Sequence, residues 1–333
     1  MKAAVMGAGS WGTTFAQVLC DAGTRTMLCS RKPQLAAALT ERHENPDYLP
    51  GVALTPALEA TADPMEALAN ADLVAFAVPA QSLRTNLIAW APLIPAGALL
   101  VSLLKGIELG TCARMSEVIT EVLDADPDRV AVVAGPNLAG EIIRRQFTAA
   151  VVACAAPSGA LALQGACHTP YFRPYTNTDV TGCELGGTVK NIIAIAVGIA
   201  VAMGLGDNTK ATLITRGLAE MARLGSALGA QPQTFAGLAG MGDLVATCSS
   251  PLSRNRTFGE NLGRGMPVAA AAAMSQTAEG VASCGPVLEL ARARGVEMPI
   301  TEVVEAVMRD GLPVTQAASM LASRSAKPEW YGP

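Results

Sequence analysis

The sequence predicts an α/β domain, a doubly wound sheet with helices on both faces, followed by an all-α domain. Three observations carry this. The chain has 333 residues, more than one hydrophobic core usually serves. Its first half alternates short apolar runs with helical stretches. After about Tyr175 the apolar runs of β type stop.

The strands are expected at Lys2–Met6, Thr26–Cys29, Leu73–Val78, Ala98–Leu103, Val130–Ala134 and Ala149–Ala153, each trailed by Gly, Pro or polar residues. Continuously apolar strands separated by helices indicate a parallel sheet covered on both sides. Thr13–Cys20 is expected as the first helix. Thr188–Met203, Lys210–Leu228, Ser283–Arg294 and Thr301–Met308 read as the helices of the second domain, punctuated by glycine turns at Gly237–Gly242 and Gly263–Gly265. Ala269–Ala273 reads as plain helix and Lys327 to Pro333 as a loose tail. The change of texture near Asn177–Gly187 puts the boundary between a dinucleotide-binding domain, 1–180, and a helical substrate and catalytic domain, 181–333.

Composition narrows the classes of function. Hydrophobic residues make up 50% and charged residues 16%, and the net charge is −4 without a basic run, which argues against a nucleic-acid partner. The eight cysteines are scattered and form no CxxC pair, and no signal peptide is evident at Met1-Lys2-Ala3, so reduced thiols in a cytoplasmic protein are expected. Ile192 to Leu205 is the longest apolar run, shorter than a membrane span and suited to a buried core helix. His43 and His168, the two histidines, stand far apart, which argues against a zinc site or a Ser-His-Asp arrangement. The six lysines stand against eighteen arginines. Arginine stays protonated, whereas a partly buried lysine can lose its proton.

Gly7-Ala8-Gly9-Ser10-Trp11-Gly12 is a G-x-G-x-x-G between an expected strand and an expected helix. The first glycine allows the tight turn, the second lets backbone approach a pyrophosphate, and the third lets helix pack on strand. At the tip of the second strand, where an acidic residue binds the ribose of NAD, stands Ser30-Arg31-Lys32. Two cations suit a 2′-phosphate, so NADP(H) is the expected cofactor, with NAD(H) second. Lys105, next to Gly106, follows the Ala98–Leu103 strand at the edge where doubly wound sheets bind ligands, and Gly135-Pro136-Asn137 follows the next strand on that edge. Lys190-Asn191 opens the long apolar helix after Gly186-Gly187, and desolvation there would lower its pKa toward that of a general acid/base. Gly240-Met241-Gly242-Asp243 and Ser253-Arg254-Asn255-Arg256 add polar groups, the latter with a guanidinium suited to phosphate.

Assembled, these blocks resemble the NAD(P)-dependent glycerol-3-phosphate dehydrogenases nearly end to end. The likeness also runs through Asn45-Pro46-Asp47-Tyr48-Leu49-Pro50, Leu185 to Asn191, Leu213 to Glu220, Glu279-Gly280 and Val296 to Thr301. It implies a Rossmann-type first domain and reversible reduction of dihydroxyacetone phosphate to sn-glycerol 3-phosphate, which feeds phospholipid synthesis. By resemblance, Lys190 is the proton donor/acceptor, Lys105 contacts substrate and cofactor, and Asp243 joins them in catalysis. Gly135, Asn137, Asn191, Asp243, Thr247, Ser253, Arg254 and Asn255 surround the substrate. Gly7, Gly9, Ser10, Trp11, Gly12, Arg31, Lys32, Lys105, Ala139, Arg254 and Glu279 meet the cofactor. No metal and no membrane span are implied, and a homodimer is expected.

The chain departs from the family's pattern at Asn137, usually Ser or Thr, at Leu138, usually aromatic, and at Leu103-Leu104. Two alternatives stand beside this reading: a related β-hydroxyacid-type dehydrogenase with another substrate, and a non-catalytic NADPH-binding sensor.

Overall fold

The computed structural model describes residues 1–274, 278–325 and 328–329. The expected tail at Lys327 to Pro333 lies outside these apart from Pro328 and Glu329. Two compact units make up the chain: Met1–Leu104 with Arg114–Val180, and Lys105–Ala113 with Thr181–Pro333.

The first unit contains strands β1 (Lys2–Met6), β2 (Arg25–Cys29), β3 (Glu44–Asn45), β4 (Leu49–Ala53), β5 (Glu59–Thr61), β6 (Leu73–Phe76), β7 (Leu99–Ser102), β8 (Val130–Ala134), β9 (Thr148–Cys154) and β10 (Phe172–Asn177). Its helices are α1 (Ser10–Asp21), α2 (Pro33–Glu41), α3 (Pro64–Leu68), α4 (Leu83–Trp90), α5 (Met115–Leu123), α6 (Ala139–Ile142) and α7 (Pro157–Cys167). Eight strands form one sheet in the order β10-β9-β8-β7-β6-β1-β2-β5, and β3 pairs antiparallel with β4 in a separate hairpin. The switch point falls at β1, from which the chain winds first to β2 and then back through β6. Every residue of β6 and β8 is buried, as strands covered on both faces require.

The expected parallel sheet departs from that pattern at one pair. β8 and β9 run antiparallel, while β9 and β10 run parallel to one another. Between β8 and β9 the only helix is the four-residue α6, too short to carry the chain back along the sheet for a parallel return. The apolar side of α1, Phe15, Ala16, Val18 and Leu19, is completely buried in this unit's core with Val5, Leu28 and Leu73. Burial of each larger side chain contributes about 1.5–3 kcal/mol.

The second unit is helical: α8 (Val180–Ala202), α9 (Asp207–Ala227), α10 (Pro232–Ala236), α11 (Asp243–Ser249), α12 (Arg254–Gly263), α13 (Val268–Met274), α14 (Glu279–Ala293), α15 (Pro299–Arg309) and α16 (Val314–Ala322). By length and composition α8 could cross a membrane, with a mean hydropathy of 1.8, yet 89% of that stretch is buried inside the protein. It is the axis of a core that includes Ile192, Ile195, Leu224, Phe258 and Val287. A Cβ on Gly198 would overlap the carbonyl of Arg256, and one on Gly259 would overlap that of Ile195, so α8 and α12 cross backbone to backbone. That close crossing brings Asn191 and Asn255 within hydrogen-bond reach.

One expectation changes here. The pair Gly186-Gly187 reads as a break before a helix starting at Thr188, but α8 begins at Val180 and continues through it. A Cβ on Gly186 would overlap the Ala239 carbonyl. The glycine serves close packing, not helix termination. Lys190 therefore lies in the helix interior rather than at its start.

Candidate active site

The expected site residues fall into two groups, one in each unit. In the first unit the loop after β1 ends sooner than its motif suggests, because α1 starts at Ser10 and takes in Trp11 and Gly12. Gly7 has φ +122°, and a Cβ on it would sit 2.6 Å from the Ala77 carbonyl oxygen. A Cβ on Gly12 would overlap the carbonyl of Gly7, so helix and loop close only with glycine there. Gly9 is different: a Cβ on it would meet nothing within 4 Å. Gly9 is also the N-cap of α1 and supplies no side-chain cap, so the first-turn N–H groups and the positive end of the dipole face that open space.

This cradle fits the diphosphate of a nicotinamide dinucleotide, and a second observation agrees. The buried Nε1 of Trp11 and Oδ1 of Asn137 have no hydrogen-bond partner among the described residues. Trp11 Nε1, a donor, belongs to the expected cofactor set, and Asn137 Oδ1, an acceptor, to the expected substrate set. The loop is tied to the end of β2 by the Gly7 N–H, which donates to the Cys29 carbonyl at 3.0 Å. Directly beyond stand Ser30, buried, and Arg31 and Lys32, both exposed. Lys32 Nζ donates to Asp47 Oδ2 at 2.7 Å. Gly135, at φ +97°, turns the chain after β8. Asn137 Nδ2 donates back to the Ala134 carbonyl at 3.1 Å, and Ala139 opens α6, its carbonyl 3.5 Å from Thr14 Oγ1.

In the second unit Lys105, Lys190, Asp243 and Thr247 form one cluster. Lys190 Nζ donates to Asp243 Oδ1 in a short contact and to Thr247 Oγ1 at 2.6 Å. Lys105 Nζ donates to Asp243 Oδ2 at 2.8 Å. Asp243 is 1% exposed and Lys190 5%, whereas the Lys105 side chain keeps 17%. Burial pushes the Lys190 ammonium down to about 7; Asp243 opposes this and the like charge of Lys105 adds to it. Two lysines against one carboxylate leave an excess of positive charge when both are protonated.

The glycine-rich stretch before Asp243 is one π-helical turn, Leu238–Gly242, rather than a loop, and it delivers Asp243 as the first residue of α11. One turn later on α11, Thr247 faces the same ammonium. Lys105 packs its stem on Gly187, where a Cβ would lie 3.4 Å from Lys105 Cγ.

Beside the cluster runs a chain of amides. Asn191 Nδ2 donates to the Gly187 carbonyl at 3.2 Å, and its Oδ1 accepts from Asn255 Nδ2 at 2.9 Å. Asn255 Oδ1 accepts the Gly280 N–H at 3.0 Å. Ser253 caps α12 by accepting the Arg256 N–H at 3.2 Å. Arg254, exposed at the first position of that helix, attracts the carboxylate of Glu279, the first residue of α14. Of the second-unit residues expected from the sequence, Lys105, Lys190, Asp243 and Thr247 form one bonded set, Asn191 and Asn255 are bonded to each other, and Arg254 faces Glu279. Gly187 and Gly280 stand in the sequence blocks named above but are not among the expected site residues, because their places here rest on backbone approach and a backbone N–H.

A dinucleotide cradle on a doubly wound sheet, with a buried lysine titrating near neutrality in a helical unit, defines a nicotinamide-dependent oxidoreductase. The model for the N-terminus of NAD-dependent glycerol-3-phosphate dehydrogenase matches residues 2–160, and that for its C-terminus matches residues 179–319. The chain is 62% identical over 333 residues, 99% of each chain, to the glycerol-3-phosphate dehydrogenase [NAD(P)+] of Thermobifida fusca. It is 61% identical over 330 residues, 99% of this chain and 98% of the other, to the same enzyme of Streptomyces griseus. The crystal structure of glycerol-3-phosphate dehydrogenase from Coxiella burnetii superposes with a TM-score of 0.92 at 37% identity, covering 97% of this chain and 99% of that one. The chain belongs to the NAD-dependent glycerol-3-phosphate dehydrogenase family.

Proposed function

We propose that this protein reduces dihydroxyacetone phosphate to sn-glycerol 3-phosphate, reversibly, with NADP(H) and secondarily NAD(H), and so supplies glycerol phosphate for phospholipid synthesis. The observation that carries this reading is the buried Lys105–Asp243–Lys190–Thr247 cluster. When bound, the reduced nicotinamide supplies the hydride that the carbonyl carbon accepts.

As the carbonyl oxygen gains negative charge, Lys105 and Lys190 stabilise it and Lys190 protonates it. An ammonium has three donors; Asp243 and Thr247 take two of Lys190's and leave the third for the substrate oxygen. In the reverse direction the neutral amine takes the hydroxyl proton. Asp243 keeps both amines in place and offsets one of their charges. Asn191, Ser253, Arg254 and Asn255 hold the phosphorylated substrate, with Arg254 on its phosphate; Gly135 and Asn137 of the first unit are assigned to the substrate as well. Gly7, Gly9, Ser10, Trp11 and Gly12 hold the diphosphate, Arg31 and Lys32 the 2′-phosphate, and Ala139, Arg254 and Glu279 further parts of the cofactor.

On this reading residues 1–180 are the dinucleotide-binding domain and 181–333 the substrate domain, with Lys105–Ala113 working alongside the latter. Eight free cysteines favour a reducing, cytoplasmic setting, and a homodimer is the expected assembly. A spectrophotometric assay of purified protein with dihydroxyacetone phosphate and NADPH, then NADH, tests the reaction. Absence of turnover with both cofactors would overturn it.

A further inference from the structure

The block Asn45-Pro46-Asp47-Tyr48-Leu49-Pro50 has no role in the chemistry above, yet it is fastened to the dinucleotide loop. It forms the tip of the β3–β4 hairpin. Asn45 is completely buried, and its Nδ2 donates to the Ala8 carbonyl at 3.1 Å and to Thr13 Oγ1 at 2.7 Å. Its Oδ1 accepts the Tyr48 N–H at 3.1 Å, and Ser10 Oγ donates to the Tyr48 carbonyl at 3.2 Å. These four bonds fix the tip in register against the glycine loop and the start of α1.

Between the two anchors stands Asp47. Seated this way, it meets Lys32 of the turn after β2 at 2.7 Å, with both side chains partly exposed, 56% for Lys32 and 39% for Asp47. The two cations of that turn are therefore unequal. Arg31 has no hydrogen bond or ion pair among the described residues, whereas Lys32 is held by a carboxylate and its pKa is pushed up by that contact.

We propose that Asp47 is a cofactor-selectivity residue: it withholds Lys32 from the ribose 2′ position and so limits the preference for NADP(H) over NAD(H). This rests on the reading of Ser30-Arg31-Lys32 as the ribose end of the cofactor site. A 2′-phosphate carries a charge of about −1.5 to −2 at neutral pH. It must compete with Asp47 for Lys32 and is repelled by it, whereas a neutral 2′-hydroxyl meets neither cost. An exposed pair of this kind is weak enough to open, so the phosphate is admitted at a discount in affinity rather than excluded.

The test is equilibrium binding by titration calorimetry to the wild type, Asp47→Asn, Asp47→Glu and Lys32→Gln. The ligands are NADP+ and NAD+, and the fragments adenosine 2′,5′-bisphosphate and adenosine 5′-monophosphate. Asp47→Asn is expected to tighten both 2′-phosphorylated ligands by roughly two- to fivefold while leaving the others nearly unchanged. The gain shrinks at high salt, since the charges are exposed. Asp47→Glu restores wild-type selectivity, and Lys32→Gln weakens the 2′-phosphorylated ligands alone. Equal shifts for both ligand classes, or none for either, would overturn the proposal. A wild type that prefers NAD+ counts against the NADP(H) reading only, because the proposal is scored on the change in selectivity between variant and wild type.

Discussion

Lys105 and Lys190 are bound to opposite oxygens of one buried carboxylate, that of Asp243, so neither amine can move without disturbing the other's counter-charge. The arrangement keeps two like charges close together in a site from which water is largely withheld. Its cost appears as the depressed affinity of Lys190 for its proton.

On the proposed mechanism, replacing Lys190 with Ala removes the general acid. The expected loss in turnover is roughly 10²–10⁴-fold, with cofactor binding retained. That mechanism predicts a wild-type pH profile in which ketone reduction, needing protonated Lys190, declines as pH rises through about 7, while alcohol oxidation, needing the neutral amine, grows over the same interval. Steady-state rates in both directions across that range check the assignment, and a full-activity Lys190→Ala protein would refute it.

Asp243→Asn keeps the shape of the cluster but takes away its negative charge. Lys190 then faces Lys105 with less compensation, so its proton is held more weakly still. Lower turnover is expected, together with a reduction profile displaced toward acid. An unmoved profile would mean that Asp243 has no electrostatic hold on Lys190.

Gly9→Ala and Gly12→Ala separate binding from folding. The added methyl on Gly9 projects into open space, so the protein should fold normally and lose dinucleotide affinity by at least about tenfold, as the methyl intrudes where the diphosphate approaches. On Gly12 the methyl collides with the Gly7 carbonyl, so a lowered melting temperature is expected. Thermal melts and cofactor titrations on both variants distinguish the two effects; a Gly9→Ala protein that binds normally would show that the cradle is not used.

Glu220 provides a test away from the cluster. Its carboxyl is 1% exposed and accepts the Ile300 N–H at 2.7 Å and the Thr301 N–H and Oγ1 at 3.3 and 3.1 Å, tying α9 to the start of α15. Burial raises its pKa to about 7, against the pull of those donors. The folded state therefore binds the Glu220 proton more tightly than the unfolded chain does. Its contribution favours folding at low pH and is lost as pH rises from the unfolded value, about 4.3, through about 7. The melting-temperature difference between wild type and Glu220→Gln should shift against the wild type over that window. A difference that does not vary with pH would rule this out.

Much of this was legible in the sequence. β1 and β8 fall at the expected residues because a strand covered on both faces is a continuous apolar run. β10 was hidden by Pro174, which an edge strand tolerates because it lacks a neighbour on one side. Lys190 and Asp243 stood out as rare or oddly placed polar residues. Only the family resemblance groups them; their direct bond does not follow from the residues themselves, since nothing local links positions so far apart. The helix through Gly186-Gly187 is not legible in the sequence for a related reason: local propensity marks glycine as a breaker, and the packed neighbour Ala239 shows why Gly186 is needed.

The excursion Lys105–Ala113 belongs to the second compact unit, although the chain on either side of it belongs to the first. Lys105 and Asp243 are 138 residues apart in sequence. During synthesis the ribosome must therefore deliver α11 before Lys105 can find its carboxylate, and that excursion waits while the surrounding sheet is already able to form. A gene fragment starting at residue 181 would encode the helices and omit one of the two amines. Cutting this protein at residue 181 would part Lys105 from the Asp243 carboxylate that holds it.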